Sequence, residues 1–333
     1  MKRELAPLLV CPLCGAGPME PDVSADPIDV GSVVCPTGHA LPIRKGVLQA
    51  LTARNEDIGA QLSENARERR GALTPEEKTA YRQNISRIGS ATYNELIRAN
   101  AGAAPDATGI SLDLGGGSGW LAAELASRGF HAVSLDIEDP WERASQIAAG
   151  AATRDFELVT DLTPIVPSDQ VDFVVASMDR IPFRDASFTL VTMSAALHHS
   201  EDPGGTLKEA TRVLQPGGRL LVLNEPVKGL FRDERPILHG RGEEAGEHIH
   251  SLDTYLASFR AAGFERPRLH FPGWVDRRLS SRDWRGVIYY KRLLPVVGTI
   301  WSLRPVRTLA RGPLLRPLVR TFGLTLIAEA TKR

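Results

Sequence analysis

Residues 111–121 read Ser-Leu-Asp-Leu-Gly-Gly-Gly-Ser-Gly-Trp-Leu, and no other stretch restricts the fold of this chain so tightly. A short apolar run meets an acidic residue, breaks into glycines and resumes with residues suited to a helix. Glycines let the backbone turn sharply and pass close under a ligand, with no Cβ in the way. The spacing is G-x-G-x-G with Asp113 ahead of it. A loop that seats a pyrophosphate on a helix N-terminus needs G-x-G-x-x-G instead. From Gly109 onward, strand and helix patterns alternate. Strands are predicted at 110–114, 132–135, 171–176, 188–193 and 219–223, with two last ones at 266–271 and 324–331. Helices are predicted at 121–128, 206–214 and 252–262. Such alternation predicts an α/β fold, a parallel sheet covered by helices on both faces.

The second strand ends Val133-Ser-Leu-Asp136, 17 residues after Gly119. An acid at the C-terminal tip of strand two can accept hydrogen bonds from both hydroxyls of a ribose. Taken alone, Asp136 reads equally well as a helix N-cap or a loop acid.

All three cysteines fall within the first 35 residues, as Cys11-Pro-Leu-Cys14 and Cys35-Pro-Thr-Gly-His39. A C-x-x-C knuckle puts two thiolates on one tight turn. A C-x-x-x-H pair completes a Cys₃His set, which suits a closed, structural Zn²⁺ site. An odd cysteine count argues against a disulfide framework. The competing reading is two unrelated buried thiols and a surface histidine. The string from Cys35 through Val47-Leu48 resembles the zinc ribbon ahead of some bacterial rRNA guanine methyltransferases. It is also similar to the small zinc-binding activator protein of tRNA and protein methyltransferases. That likeness covers roughly residues 8–52.

A second resemblance covers most of the remainder. Leu112-Asp-Leu-Gly-Gly-Gly-Ser-Gly119 looks like the first motif of class I S-adenosylmethionine (SAM) dependent methyltransferases. Ala176-Ser-Met-Asp179-Arg-Ile-Pro-Phe183, Leu197-His-His-Ser-Glu-Asp-Pro203 and Glu209-Ala-Thr-Arg-Val-Leu-Gln-Pro-Gly-Gly218 follow in the order of the ubiquinone/menaquinone-type enzymes. The resemblance implies a Rossmann-like seven-stranded sheet, mostly parallel with its last strand antiparallel, and SAM as methyl donor. Asp113, Gly115, Gly117 and Gly119 would hold the methionine half. Asp136 would hold the ribose, and Ser177 with Met178 would line the adenine. The family often has an aspartate where this chain has Ser177.

Methyl transfer from a sulfonium needs alignment of the acceptor, and a base only where the acceptor must lose a proton. Candidates at the C-terminal edge of the sheet are His198, His199, Asn224, Glu225, His248 and His250. His199 is the candidate base, against a structural histidine in a SAM-positioning loop. Glu225 reads equally as a cap of the next turn. The His248/His250 pair reads as a substrate-facing loop or as a second metal site, with Ser251 as the N-cap of the following helix.

The expected organisation is a zinc ribbon at 1–52, a linker (53–72) and helix (75–100) within 53–108, and a methyltransferase domain at 109–333. A basic helical insertion occupies 277–322 of that domain. Net charge is zero over 333 residues, yet 277–333 carry 13 Lys/Arg against Asp283 and Glu329, leaving the rest with a matching acidic excess. Arg304, Arg307, Arg311, Arg316 and Arg320 recur among apolar residues, and prolines cut the segment into short pieces. The insertion reads as a packed cap with a solvated basic face, a membrane-surface contact, a grip on an acidic substrate, or an RNA site; few aromatics interleave, which weakens the last. No apolar run late in the chain approaches the roughly 20 residues of a spanning helix, and no signal peptide is visible. A cytoplasmic location is expected, with peripheral membrane association through 277–322 as an option. The acceptor class expected is a small or lipid-linked molecule. The alternatives are an rRNA or tRNA methyltransferase and a non-catalytic SAM-fold subunit that docks a partner.

Overall fold

The computed structural model describes residues 1–52, 109–117, 119–141, 171–200, 202–230, 248–264, 266–281 and 294–333. The predicted linker and helix between 53 and 108, most of the stretch after strand two, and residues 282–293 of the basic insertion lie outside them.

The strands are β1 (Glu20–Pro21), β2 (Gly31–Val34), β3 (Ala40–Arg44), β4 (Val47–Gln49), β5 (Ile110–Leu114), β6 (His131–Asp136), β7 (Val171–Val175), β8 (Phe188–Ser194), β9 (Leu214–Glu225), β10 (Arg268–Leu269) and β11 (Leu326–Thr331). They form one sheet in the order β1-β2-β3-β4-β7-β6-β5-β8-β9-β11-β10. From β7 to β10 this is the expected seven-stranded arrangement. β7, β6, β5, β8 and β9 run parallel. The last strand, β11, pairs antiparallel with both β9 and β10.

The helices are α1 (Trp120–Ala126), α2 (Pro203–Val213), α3 (Leu252–Ala261), α4 (Gly273–Ser281), α5 (Leu294–Trp301), α6 (Arg304–Arg311) and α7 (Leu315–Phe322). Local chemistry places their ends. Asp202 caps α2 by accepting from the Gly204 amide, with Pro203 at the first position, and Ser251 caps α3 through the Thr254 amide. In each case a side-chain oxygen takes up an amide that the first turn leaves without a helical partner. Gly323 closes α7 in the left-handed conformation.

Strand periodicity sorts the core into two layers. Val133, Leu135, Val174, Val191, Met193, Leu220 and Val222 share one buried cluster with Leu207 and Ala210 of α2 and Tyr255 and Phe259 of α3. Ala132, Phe173, Leu190, Leu221 and Leu223 share the opposite cluster with Leu121 and Leu125 of α1. Every residue of β7 is buried, as befits a parallel strand covered on both faces.

The first 52 residues add four strands to this sheet. Lys45 and Gly46 both have positive φ, 48° and 77°, the signature of a tight two-residue hairpin. The turn brings β4 antiparallel onto β3 and leaves its other edge free to pair in parallel with β7, Val47 against Phe173 and Gln49 against Val175. The Ala50 amide continues the ladder to the Val175 carbonyl at 2.8 Å. The ribbon's apolar residues Leu5, Leu9, Met19, Ile28 and Val33 belong to the same buried cluster as the sheet.

One buried carboxylate ties the chain start to this junction. Asp172 of β7 accepts from the Lys2 amide at 2.7 Å and lies 2.6 Å from His131 Nε2, whose Nδ1 faces Glu4 at 3.2 Å. Replacing Asp172 by alanine leaves the partly buried Lys2 amide and His131 ring without this acceptor. We expect Asp172→Ala to lose about 1–3 kcal/mol, read as a lower urea midpoint at unchanged slope. An unchanged midpoint would mean that this carboxylate does not hold the junction.

Candidate active site

β5 delivers the chain into the glycine turn at the C-terminal edge of the sheet. The amides of Gly115 and Gly116 both reach the Leu135 carbonyl, at 2.8 and 3.1 Å. At Gly115, φ is +66° and a Cβ would stand 2.5 Å from the Ala196 Cβ; at Gly119, φ is +76° and a Cβ would stand 2.7 Å from the Phe173 ring. Both positions therefore demand glycine on conformation and on space. Gly119 then opens α1.

Asp136, at the tip of β6, lies against this turn. Its Oδ2 accepts from the Gly117 amide at 2.7 Å and its Oδ1 from the Glu138 amide at 2.9 Å. A carboxylate offers about four lone-pair sites, so each oxygen retains capacity for one more donor, and the residue is only partly buried. Ser177 and Met178 follow the end of β7, both partly buried. Ser177 Oγ accepts from the Asp179 amide, and Met178 packs against the core. Asp179, a residue to which the sequence pattern assigns no role, accepts from Ser200 Oγ and from Thr206 Oγ1. It thereby fastens this loop to the segment between β8 and α2.

Asp113 is buried beside the glycine turn. Strand alternation sends Leu112 and Leu114 to one layer and turns Asp113 away from it. The residue is 2 % exposed. Its carboxyl takes a 2.7 Å hydrogen bond from the Thr192 hydroxyl and lies beneath the turn, 3.1 Å from where a Gly116 Cβ would stand. It supports the turn from below rather than lining its open side.

Beside the glycine turn lies a polar cluster from four segments. Glu225, fully buried at the end of β9, accepts from the amides of Ala196 and Leu197 at 2.7 and 2.9 Å and of His198 at 3.2 Å. Its Oε2 is also 2.9 Å from His198 Nδ1. Glu225 thus caps the 3₁₀ turn Leu197–His199, not the turn after β9. With three amides donating to the carboxylate, Nδ1 of His198 is the donor of this contact and carries a hydrogen. His199 is partly exposed, and its ring lies beside that of His198, centroids 4.2 Å apart and planes tilted by 35°. The His248 amide donates to the His198 carbonyl at 2.7 Å, and His250 meets the buried Tyr255 ring edge-on at 5.4 Å. Burial, with help from His248, holds His250 below the ordinary histidine range and so neutral.

The cysteine set belongs to the first 52 residues, with Cys35 and His39 in the turn from β2 to β3. Ligand atoms of Cys11, Cys14, Cys35 and His39 all fall within 4.8 Å of one another. Cys14 Sγ is 3.9 Å from Cys35 Sγ, which is 3.6 Å from His39 Nδ1. A tetrahedron with metal–sulfur bonds of about 2.3 Å has edges of about 3.8 Å, so the spacing fits zinc. Burial opposes ionisation of Cys35, but hydrogen bonds from Thr37 and His39 outweigh it and bring the thiol down to about 6. The segment leading into Cys11 also braces the Ser177–Asp179 loop. Leu9 bridges to Phe183, and the Val10 amide donates to the Pro182 carbonyl at 3.1 Å.

The buried Asp113 gives a pH signature. Burial, opposed by the Thr192 hydroxyl and helped by the Asp136 charge, pushes its carboxyl up to about 7. The folded chain keeps a proton that the unfolded chain, with a carboxyl near its usual value of about 4, has already lost. Its contribution to stability is therefore full below about pH 4 and falls as pH rises toward 7. Asp113→Asn should remove that component. The wild-type-minus-variant unfolding free energy is expected to drop by on the order of 4 kcal/mol from pH 4 to pH 7. A pH-independent difference in denaturant titrations would contradict it.

Comparison with known proteins places these features in a family. Residues 112–222 match a family model described as a methyltransferase domain. The chain is 32 % identical over 232 residues to the demethylmenaquinone methyltransferase of Beutenbergia cavernae, a match spanning 62 % of this chain and 86 % of that protein. It is 36 % identical over 120 residues to the demethylmenaquinone methyltransferase of Clavibacter sepedonicus, 36 % of this chain and 42 % of that one. With the 27-O-demethylrifamycin SV methyltransferase of Amycolatopsis mediterranei the identity is 41 % over 103 residues, 29 % of this chain and 36 % of that one. The chain thus spans less than half the length of these last two relatives. The glycine turn, Asp136 and the polar cluster at 196–200 all fall in or beside the matched segments, and the chain belongs to the class I SAM-dependent methyltransferases.

Proposed function

We propose that the protein transfers the methyl group of SAM to a small-molecule or lipid-linked acceptor. The observation that carries this reading is the pairing of a turn that only glycine can make with a half-open carboxylate at Asp136, both beside the His198–His199 cluster. Backbone at Gly115, Gly117 and Gly119 would follow the methionine half, with Asp113 supporting the turn from below. Asp136 would accept from the ribose hydroxyls, and Ser177 and Met178 would border the adenine. Bound there, SAM supplies an electrophilic methyl on a sulfonium. The protein's own part is to hold the acceptor, exclude water and receive a proton where the acceptor has one to lose. His199 is the residue for that last task. His198 and Glu225 are positioning residues, since they fix the turn that carries it. The relatives are named demethylmenaquinone methyltransferase and 27-O-demethylrifamycin SV methyltransferase, which supports a non-nucleic-acid, non-protein acceptor.

Zinc held by Cys11, Cys14, Cys35 and His39 completes the reading. Its part is structural, since four protein ligands leave no position for a substrate. We expect one zinc per chain by elemental analysis and its loss in the Cys11→Ser/Cys14→Ser double variant. Protein purified without chelators that contains no zinc would overturn the assignment.

Two measurements test the catalytic reading. Asp136→Ala removes a charge-assisted pair of hydrogen bonds, roughly 1.5–3 kcal/mol, so calorimetry should show SAM affinity weakened about tenfold or more. Unchanged affinity would take Asp136 out of the site. His199→Gln should leave SAM affinity alone and lower kcat by about a hundredfold or more on an acceptor that must lose a proton. An unaltered kcat and pH profile would leave His199 a structural residue of the loop.

A further inference from the structure

Ten large apolar side chains are exposed among the described residues, and seven of them, Val296, Val297, Ile300, Leu303, Leu309, Leu314 and Phe322, lie on or between α5, α6 and α7. An eighth, Leu230, is 75 % exposed, and its amide donates to the Arg320 carbonyl of α7. The three helices do not lack apolar residues for packing. Trp301 stacks on Phe271 with centroids 5.0 Å apart and donates to Asp276. Trp301 and Ala310 form a small buried cluster with Leu279 of α4, and Leu315 and Val319 enter the main core. The inner side is therefore filled, and the outer side is apolar by surplus. Val296, Ile300 and Leu303 recur at i, i+4 and i+7, one stripe along α5 and just past its end, and are 58, 47 and 55 % exposed.

Charge on this segment has one sign. From 294 to 328 the chain carries Arg304, Arg307, Arg311, Arg316 and Arg320 and no Asp or Glu. Arg311 pairs with Asp276 and Arg320 with Asp253. Arg304, Arg307 and Arg316 have no acidic partner among the described residues. No described helix is long and apolar enough to cross a membrane.

We propose that α5–α7 form a docking face for an anionic lipid bilayer, on which the exposed Val, Ile and Leu enter the headgroup boundary and Arg304, Arg307 and Arg316 meet the phosphates. Short helices with apolar residues on one side and arginine on the other lie in a membrane interface in this way. A second copy of the chain fits less well, because a two-fold contact would set these arginines against their own kind. RNA fits less well too: Trp301 is buried, which leaves Phe322 as the only exposed aromatic of α5–α7 for bases to stack on. The face borders the acceptor cluster. α7 is joined to α3 through the Arg320–Asp253 pair and to the segment after Glu225 through Leu230, so an acceptor resident in the bilayer reaches the cluster from the side on which the protein docks.

The test uses the full chain without SAM, so it can fail independently of the cofactor assignment. Co-sedimentation compares vesicles of phosphatidylcholine with vesicles of phosphatidylcholine and phosphatidylglycerol. We expect selective binding to the anionic vesicles that weakens as salt rises. The Arg304→Gln/Arg307→Gln/Arg316→Gln variant should bind roughly tenfold to a hundredfold more weakly. An Ile300→Ser/Leu303→Ser/Leu309→Ser variant should also lose binding while its residual binding keeps the salt dependence. A far-ultraviolet circular dichroism spectrum and a urea midpoint unchanged from wild type in both variants show that they are folded. Equal partition to neutral and anionic vesicles at low salt, undiminished binding by the arginine variant, or RNA binding or dimer formation through this face without vesicle binding would each overturn the proposal.

Discussion

The molecule is organised around a backbone crossing that tolerates no side chain. Between Leu114 and Trp120 the chain must leave β5, pass Ala196 on one side and Phe173 on the other, and enter α1. The turn is held by main-chain groups, two amides on the Leu135 carbonyl and one on Asp136. Because these acceptors belong to β6, the position of the turn is fixed by the parallel pairing of β5 with β6. Because its near neighbour Ala196 precedes the turn capped by Glu225, the same crossing fixes where His198 and His199 stand. Glycine turn and histidine cluster are thus two sides of one packed contact.

The amino-terminal segment is built into that arrangement. Parallel pairing of β4 with β7 satisfies an edge that would otherwise be left open at the end of the sheet. The same segment carries the cysteine–histidine set on one side and braces Pro182 and Phe183 on the other. The loop from Ser177 to Phe183 is therefore held from two directions, by Asp179 on Ser200 and Thr206 and by the residues leading into Cys11.

Much of this is legible from the sequence because it rests on local spacing. The glycine turn, the acid at 136, the alternating strands and the cysteine–histidine spacing are each contained in a few consecutive residues. The features hidden from the sequence depend on partners far along the chain. A three-residue strand at Val47–Gln49 gives no sign of which edge it will join. Asp172 reads as one polar residue in an apolar strand, and its use depends on Lys2 and His131 arriving from elsewhere. Asp113 precedes the glycines, and its hydrogen bond from Thr192, 79 residues on, is not visible in the sequence. Glu225 reads as a cap for the turn after β9, yet its donors come from residues 27 to 29 positions earlier. β9 also begins well before the predicted 219, at Leu214, because Gln215-Pro-Gly-Gly218 breaks the apolar pattern while the strand itself runs on.

The central claim is methyl transfer from SAM to a small or lipid-linked acceptor. It is tested most directly by incubating the purified protein with methyl-labelled SAM and a cell extract separated into RNA, protein, lipid and small-molecule pools. The account predicts enzyme-dependent label in the lipid or small-molecule pool, reduced by Asp136→Ala at subsaturating SAM. Label confined to RNA or protein, or none in any pool, would contradict it.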